Sequence, residues 1–184
     1  LTTDPDNPQR LLASLRFHGV YESTDGGVLW RDMYGDLLVP DDEDNGAWVR
    51  SALSVAVDPS DPDVLVMAVE QYGLFRTSNA TASSEVISWT PVGDNVQPDP
   101  GQLRRMDVIA DPGIPGRFLS LEDGWSLLVS DDGGLTWAHF GVQPTLDTAL
   151  TIAVKRDGTD NGGFYLGTWK GGIYVPGTAM NLSD

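Results

Sequence analysis

Cysteine is absent from this chain, and positively charged residues are few. None of the 184 residues is Cys, which excludes disulfide bonds, thiol catalysis and thiolate-ligated metals without fixing the compartment. Lys and Arg together number 11 against 27 Asp and Glu, and lysine occurs only at Lys155 and Lys170. The formal net charge of −16 repels phosphate backbones, so we expect no nucleic-acid partner.

Long apolar runs are also missing. No stretch approaches the ~18 consecutive apolar residues that a transmembrane helix requires, so no membrane span is predicted. No signal peptide is visible after Leu1, and we interpret the chain as a processed or excised piece of a longer polypeptide. The acidic surface favours solubility in a secreted, periplasmic or cell-surface setting.

A short pattern, Ser-x-Asp-x-Gly-x-x-Trp, occurs twice, and we call each copy a box. The box residues are Ser23, Asp25, Gly27, Trp30, Ser130, Asp132, Gly134 and Trp137. Asp-Gly-Gly between two β-rich runs predicts a tight hairpin, because Gly accepts positive φ and Asp accepts hydrogen bonds from nearby amides. The Trp ring on the return strand can pack between sheets. We therefore interpret the box residues as structural.

The box resembles the Asp-box, or BNR repeat, of β-propellers such as sialidases, xyloglucanase-type glycoside hydrolases, sortilin-type receptors and photosystem assembly factors. The resemblance implies an all-β fold built from blades of four antiparallel strands. It also implies that ligands meet the face of the propeller that lies opposite the box hairpins. Its implication for activity is weaker than its implication for fold.

A longer repeat that contains the box runs through the whole chain. Each of the first three units opens with a segment that ends in Asp-Pro, at Asp4, Asp58 and Asp111. Two further strands and the box hairpin follow each opening. We predict a single propeller segment with blades at approximately 1–50, 51–105, 106–148 and 149–184.

Two units depart from this pattern. The second retains Ser78 and Trp89 but replaces the tight hairpin with a longer loop over Asn79 to Ser88. The fourth has no box, and we expect it to stop after its third strand, which gives about three and a half blades. We interpret this segment as about half of a larger ring. A four-bladed ring, or closure by a second copy or another subunit, are the alternatives.

The loops between the second and third strands of the units carry the candidate ligand-binding residues. Rings beside charged groups suit a carbohydrate or protein ligand, because apolar surface and hydrogen bonding are then offered together. The candidates are Arg16, His18, Tyr72, Trp125, Trp169 and Lys170. The alternative interpretation is that the rings only pack between blades.

The candidate catalytic residues are Glu70, Glu122 and Asp123, because a glycosidase needs two carboxylates across the scissile bond. The Phe/Tyr-Arg-Ile-Pro motif of sialidases is absent, so no sialidase activity is expected. The resemblance implies that a xyloglucanase divides its two aspartates between halves of a larger enzyme, and neither maps onto this chain. Arg104 and Arg105 could bind a carboxylate or form a surface salt bridge.

Two oxygen-rich, Gly-punctuated loops have the composition of calcium sites. Their candidate ligands are Asp41, Asp44, Asp157 and Asp160. The first loop has Ala52 where an EF-hand loop has its twelfth-position Glu, and a solvated acidic loop is the alternative. No other cofactor is expected.

Three functions stay open at this point. The first is a non-catalytic recognition or scaffold module that binds a glycan or a protein. The second is a fragment of a xyloglucanase-type glycoside hydrolase. The third is a structural subunit whose open blade edges pair with another chain, as unpaired strand edges tend to do.

Overall fold

Short strands separated by turns make up the described part of the chain. The structure, a computed structural model, describes residues 1–39, 48–49, 51–93, 106–122, 126–140, 149–154, 164–168, 172–175 and 178–179. Within these ranges the strands form four antiparallel sheets of four strands each and one two-stranded hairpin. We call the four sheets blades 1 to 4, in chain order.

The strands of each blade follow one another in space as they do in sequence. Blade 1 contains β1 (Thr2–Thr3), β2 (Leu11–Leu15), β3 (Gly19–Ser23) and β4 (Arg31–Asp32). The hairpin of β5 (Leu38–Val39) and β6 (Trp48–Val49) leads to blade 2, which contains β7 (Ala52–Asp58), β8 (Asp61–Val69), β9 (Gly73–Thr77) and β10 (Thr90–Val92). Two 3₁₀ turns, Gly35–Leu37 and Ser84–Val86, flank these elements.

Blades 3 and 4 repeat the arrangement. Blade 3 contains β11 (Met106–Ala110), β12 (Phe118–Glu122), β13 (Ser126–Ser130) and β14 (Ala138–His139). Blade 4 contains β15 (Ala149–Val154), β16 (Phe164–Thr168), β17 (Gly172–Val175) and β18 (Thr178–Ala179).

The fourth blade corrects one prediction. We expected it to stop after its third strand, but β18 pairs with β17 through Tyr174↔Ala179 and Val175↔Thr178. The fourth strand was missed because two residues are too short to show the alternation that marks a strand. The described chain therefore contains four blades rather than three and a half.

The register of blade 2 corrects a second prediction. Thr77 pairs with Leu65, as Ser23 pairs with Leu11 in blade 1. The hydroxyl of Thr77 donates to Oδ1 of Asn79 over 2.7 Å. Thr77, and not the retained Ser78, therefore occupies the position of the box serine, and the sequence match was wrong by one residue.

The apolar core lies between blades rather than within them. Alternate residues of β8 face opposite ways, because side chains of a strand point to alternate sides of the sheet. Leu65 and Met67 join a cluster shared with blade 1, whereas Val66 and Ala68 join a cluster shared with blade 3. All four are fully buried, which explains why this strand is apolar without interruption.

The first strand of every blade lies toward a common centre. Residues of β1, β7, β11 and β15 line one shared cavity of about 360 Å³. In blade 1 and blade 2, the described loop between the second and third strands lies at one end of the blade. The hairpin that follows the third strand lies at the other end, because the two connections leave opposite ends of that strand. We call the first of these ends the loop face.

Candidate functional site

Two hairpin loops of the same length define the described part of the loop face. Arg16, Phe17 and His18 connect β2 to β3, and Glu70, Gln71 and Tyr72 connect β8 to β9. In each loop the third residue donates its amide to the last strand residue, from His18 to Leu15 over 3.2 Å and from Tyr72 to Val69 over 3.1 Å. The two loops are therefore equivalent positions of neighbouring blades.

The central residue of each loop has a left-handed backbone. Phe17 has φ 63° and Gln71 has φ 68°, a conformation that costs a non-Gly residue about 1–3 kcal/mol. The amide of Phe17 is held by the hydroxyl of Ser51 over 3.1 Å, and the carbonyl of Ser51 accepts the amide of Glu70 over 2.9 Å. Ser51 thus supports both loops from the blade 2 side.

An ion pair joins the two loops. Nη2 of Arg16 lies 3.2 Å from Oε1 of Glu70, and the guanidinium of Arg16 stacks 4.9 Å from the centroid of the Phe17 ring. An exposed pair of this kind contributes about 0–1 kcal/mol to stability. It brings side chains of the two loops into contact, in addition to the hydrogen bonds that Ser51 makes to both.

Aromatic rings stand exposed beside this ion pair. Phe17 is 53% exposed and Tyr72 is 44% exposed. Arg16, His18 and Tyr72 were predicted as ligand-binding residues, and all three lie in these loops. Phe17 is not among the predicted ligand-binding residues, although it supplies the ring of the predicted Arg16–His18 loop.

Several candidates lie outside the described residues or have no described side chain. Glu70 is ion-paired with Arg16, so its carboxylate is already occupied by a cation. Glu122 ends β12, and only its backbone pairings with Met106 and Ser126 are described. The other loop-face candidates outside the described residues are Asp123, Trp125, Trp169 and Lys170, and Arg104 and Arg105 also lie outside.

The box of blade 1 engages its own hairpin. Oδ1 of Asp25 accepts the hydroxyl of Ser23 at 2.8 Å and the amides of Val28 and Leu29 at 2.9 Å each. The amide of Leu29, the hydroxyl of Ser23 and the amide of Val28 lower the pKa of Asp25. The indole of Trp30 donates to the carbonyl of Gly27 over 3.0 Å. The carboxylate of Asp25 is therefore occupied by hydrogen bonds within its own hairpin.

The box of blade 3 has the same contacts. Ser130 donates to Asp132 over 2.8 Å, Asp132 accepts the amides of Leu135 at 3.1 Å and Thr136 at 2.9 Å, and the indole of Trp137 donates to Gly134 over 3.0 Å. Partial burial raises the pKa of Asp132, but the hydrogen bonds from Thr136, Ser130 and Leu135 outweigh it, and the net shift is downward.

A buried charged cluster between blades 1 and 2 was missed by the sequence analysis. Nε of Arg10 donates to Glu22 over 2.6 Å, and its Nη1 donates to Asp4 over 3.1 Å and to the carbonyl of Pro62 in blade 2 over 2.9 Å. Arg31 donates to the second oxygen of Glu22 over 2.6 Å. A cavity of about 480 Å³ adjoins this cluster. The available signal was Glu22, a charge inside an apolar strand.

Comparison with solved structures identifies the architecture. A GH74 xyloglucanase from Xanthomonas campestris is 22% identical with a TM-score of 0.61, over 98% of this chain and 24% of that chain. YCF48 from Cyanidioschyzon merolae is 16% identical with a TM-score of 0.58, over 97% of this chain and 52% of that chain. The fold is a β-propeller. At these identities the similarity shows the fold alone.

The propeller blades of this chain account for only part of each similar protein. The chain spans about a quarter of the xyloglucanase and about half of YCF48. A GH74 enzyme from Niastella koreensis gives the same result, with 16% identity, a TM-score of 0.61, and coverage of 94% of this chain and 22% of that chain. No protein-family model and no curated protein sequence matches the chain.

The predicted calcium ligands lie outside the described part of the propeller. These residues are Asp41, Asp44, Asp157 and Asp160. Among the residues that the structure describes, no three His, Cys, Asp or Glu side chains come together in a way that could hold a metal ion. The calcium interpretation therefore stays a prediction.

The membrane prediction can be examined for the described residues. Within them, no helix has the length and apolar character needed to cross a bilayer.

Proposed function

We propose that this propeller is a non-catalytic recognition module whose loop face binds a carbohydrate or a protein ligand outside the cytoplasm. The observation that carries the proposal is the pair of exposed rings, Phe17 and Tyr72, beside the Arg16–Glu70 ion pair. Two equivalent loops of neighbouring blades each present one exposed ring and one charged side chain, and the two charges are of opposite sign. A ligand that lies across them meets both loops at once.

The ligand chemistry favours a carbohydrate first. The C–H faces of a sugar stack on aromatic rings, while carboxylate and guanidinium groups hydrogen-bond to its hydroxyls. The left-handed backbone at Phe17 and Gln71 supports a binding role, because strained conformations of this kind cluster at ligand sites. The hydrogen bonds of Ser51 and the ion pair connect the two loops before the ligand arrives, which reduces the entropy cost of binding.

A protein ligand is the second form of the same proposal. One similar structure is YCF48 bound to a D1 peptide, with a TM-score of 0.51 and 13% identity. Exposed Tyr and Arg side chains are also typical of protein interfaces. An extended peptide would contact Phe17 and Tyr72 through its apolar side chains.

Titration calorimetry with a xyloglucan oligosaccharide and with a mixed peptide library tests the proposal. We expect Phe17→Ala and Tyr72→Ala each to weaken binding by about tenfold or more, a loss typical of an aromatic anchor. Leu135→Ala is the matched control, because Leu135 is also 53% exposed but lies on a box hairpin at the other end of the blades. The control should bind as the unsubstituted chain does.

Two results would contradict the proposal. Binding that survives both loop substitutions would place the ligand elsewhere. Release of reducing ends from xyloglucan by this chain, abolished by Glu70→Gln, would instead favour the xyloglucanase-fragment alternative, since a catalytic carboxylate cannot be replaced by an amide.

A further inference from the structure

The first blade exposes residues whose counterparts are buried in later blades. Trp30 is 41% exposed, whereas the equivalent Trp89 and Trp137 are 5% and 6% exposed. Leu15 is 43% exposed, whereas Val69, at the same register of blade 2, is 1% exposed. Trp89 and Val69 belong to the cluster shared with blade 1. Blade 1 has no such neighbour among the described residues.

Blade 4 is exposed on its other side, the one whose counterparts in blades 1 to 3 pack against the next blade. Ile173 is 47% exposed, whereas Val20, Leu74 and Leu127, its counterparts in the third strands of blades 1 to 3, are 0%, 0% and 7% exposed. Ala153, on the first strand of blade 4, is also exposed. Ile173 is therefore an uncovered apolar residue on this side of blade 4 within the described chain, beside the exposed Thr151 and with Ala153 at the central cavity.

The internal repeat shows what covers faces of this kind. Between blades 1 and 2, Val20 and Val69 lie in one buried cluster. Ile173 has the position of Val20, and Leu15 has the position of Val69. The free side of blade 4 is thus the natural complement of the free side of blade 1, and a blade 4-to-blade 1 contact would repeat the internal interface.

We infer that a second copy of this chain closes the ring, with blade 4 of each copy packed against blade 1 of the other. Two copies of four blades give eight, the upper end of the range of about 4–8 blades that propellers adopt. The two contacts are related by a two-fold axis, which is the commonest symmetry of closed oligomers. This inference does not depend on the proposed ligand. It concerns which surface covers the free sides of blades 1 and 4.

Native mass spectrometry and sedimentation equilibrium on this polypeptide test the inference. Because each copy carries a net charge of −16, sedimentation is run in about 1 M NaCl, where the screening length is about 3 Å. The expected mass is twice 19.8 kDa. Ile173→Arg and Leu15→Arg should each weaken self-association by roughly a hundredfold or more, as for a central interface residue.

A charge-complementation experiment separates this interface from any other. Leu15→Arg and Ile173→Asp are each expected to be monomeric alone. When the two variants are mixed, one contact keeps Leu15 against Ile173 and the other pairs Arg with Asp, so the mixed dimer should form. Leu135→Arg is the control, because Leu135 is exposed on a box hairpin and should leave the dimer intact.

The outcomes that overturn the inference are distinct. A folded, unsubstituted chain that stays at a single-copy mass at high concentration would show that its end faces do not bind each other. A dimer that survives both end-face substitutions would associate through another surface. A ladder of larger multiples would show head-to-tail contacts that do not close, which excludes the eight-bladed ring. Circular dichroism on each variant verifies that the strands are retained.

Discussion

Nε of Arg10 lies 2.6 Å from Oε1 of Glu22, and both side chains are almost fully buried, at 4% and 2% exposure. Arg31 contacts the other carboxylate oxygen of Glu22. One carboxylate therefore pairs with two guanidinium groups at the contact between blades 1 and 2. A pair taken out of water in this way is costly to break, because the remaining partner keeps its charge without compensation.

The first prediction follows from that pair. Glu22→Ala should lower the free energy of unfolding by about 3–5 kcal/mol, since Arg10 and Arg31 lose their shared carboxylate and Arg10 keeps only Asp4 as a charged partner. Asp131→Ala is the control, because it breaks the exposed Arg117–Asp131 pair and should cost less than about 1 kcal/mol. Urea denaturation of both variants gives the comparison. Equal losses would show that burial does not set the strength of these pairs.

The second prediction concerns the two glycines of the blade 3 box. A Cβ at Gly134 would clash with Cγ2 of Val66 in blade 2, whereas a Cβ at Gly133 would come no closer than 3.7 Å to Arg76. Both glycines have positive φ. Gly133→Ala should therefore cost only the left-handed penalty of about 1–2 kcal/mol.

Gly134→Ala should cost about 1–3 kcal/mol more than Gly133→Ala, because it overpacks the contact between blades 2 and 3. Thermal unfolding of the two variants measures the difference. If Gly134→Ala has no larger effect than Gly133→Ala, the box hairpin does not pack on Val66 as described.

The third prediction is a pair of opposite pH effects. Burial raises the pKa of Asp107 against the hydrogen bonds of the Ser54 hydroxyl and the Ile152 amide. A carboxyl with a raised folded pKa contributes stability below its unfolded value of about 3.8, and that contribution is lost as the pH rises through the folded value. Asp107→Asn should therefore stabilise the fold at neutral pH and lose this advantage in acid.

Asp132 provides the contrast. Its pKa is lowered in the folded state, so its contribution is present above an unfolded value of about 3.8 and is lost as the pH falls through the folded value. Asp132→Asn should destabilise the fold at neutral pH and have less effect in acid. Melting temperatures across pH should therefore show crossed profiles, and parallel profiles would contradict the assigned environments.

The fourth prediction tests the altered box of blade 2. Nδ2 of Asn79 donates to the carbonyl of Val86 over 2.7 Å, and its Oδ1 accepts the amide of Ser88 over 3.2 Å. Asn79→Asp restores the residue of the box but replaces a donor with a charge beside a carbonyl. We expect a loss of about 1–3 kcal/mol, measured by denaturant unfolding. A stabilised variant would mean that the loop can adopt the tight hairpin.

The sequence alone determined the architecture of this protein. Continuous apolar strands such as Val64–Val69, turns such as Asp25–Gly27 and a repeated Ser-x-Asp-x-Gly-x-x-Trp string are local patterns, and local backbone preferences translate them directly into strands and hairpins. The four sheets of four antiparallel strands and the similarity to solved β-propellers confirm the prediction of an all-β propeller. The patterns failed where they were short or altered, at β18 and at the Thr77–Asn79 turn.

Only the tertiary structure decided which distant residues meet. Arg16 and Glu70 are far apart in sequence, and their contact depends on two hairpins of neighbouring blades. The same holds for Arg10 with Pro62 and for the exposure of Trp30 against the burial of Trp137, although both residues occupy one position of one motif. Each copy of the repeat determines the strands of its own blade, because strand hydrogen bonding and the alternation of side chains along a strand are local. Burial and charge pairing depend on what the neighbouring blade presents, and that is settled only when the blades pack.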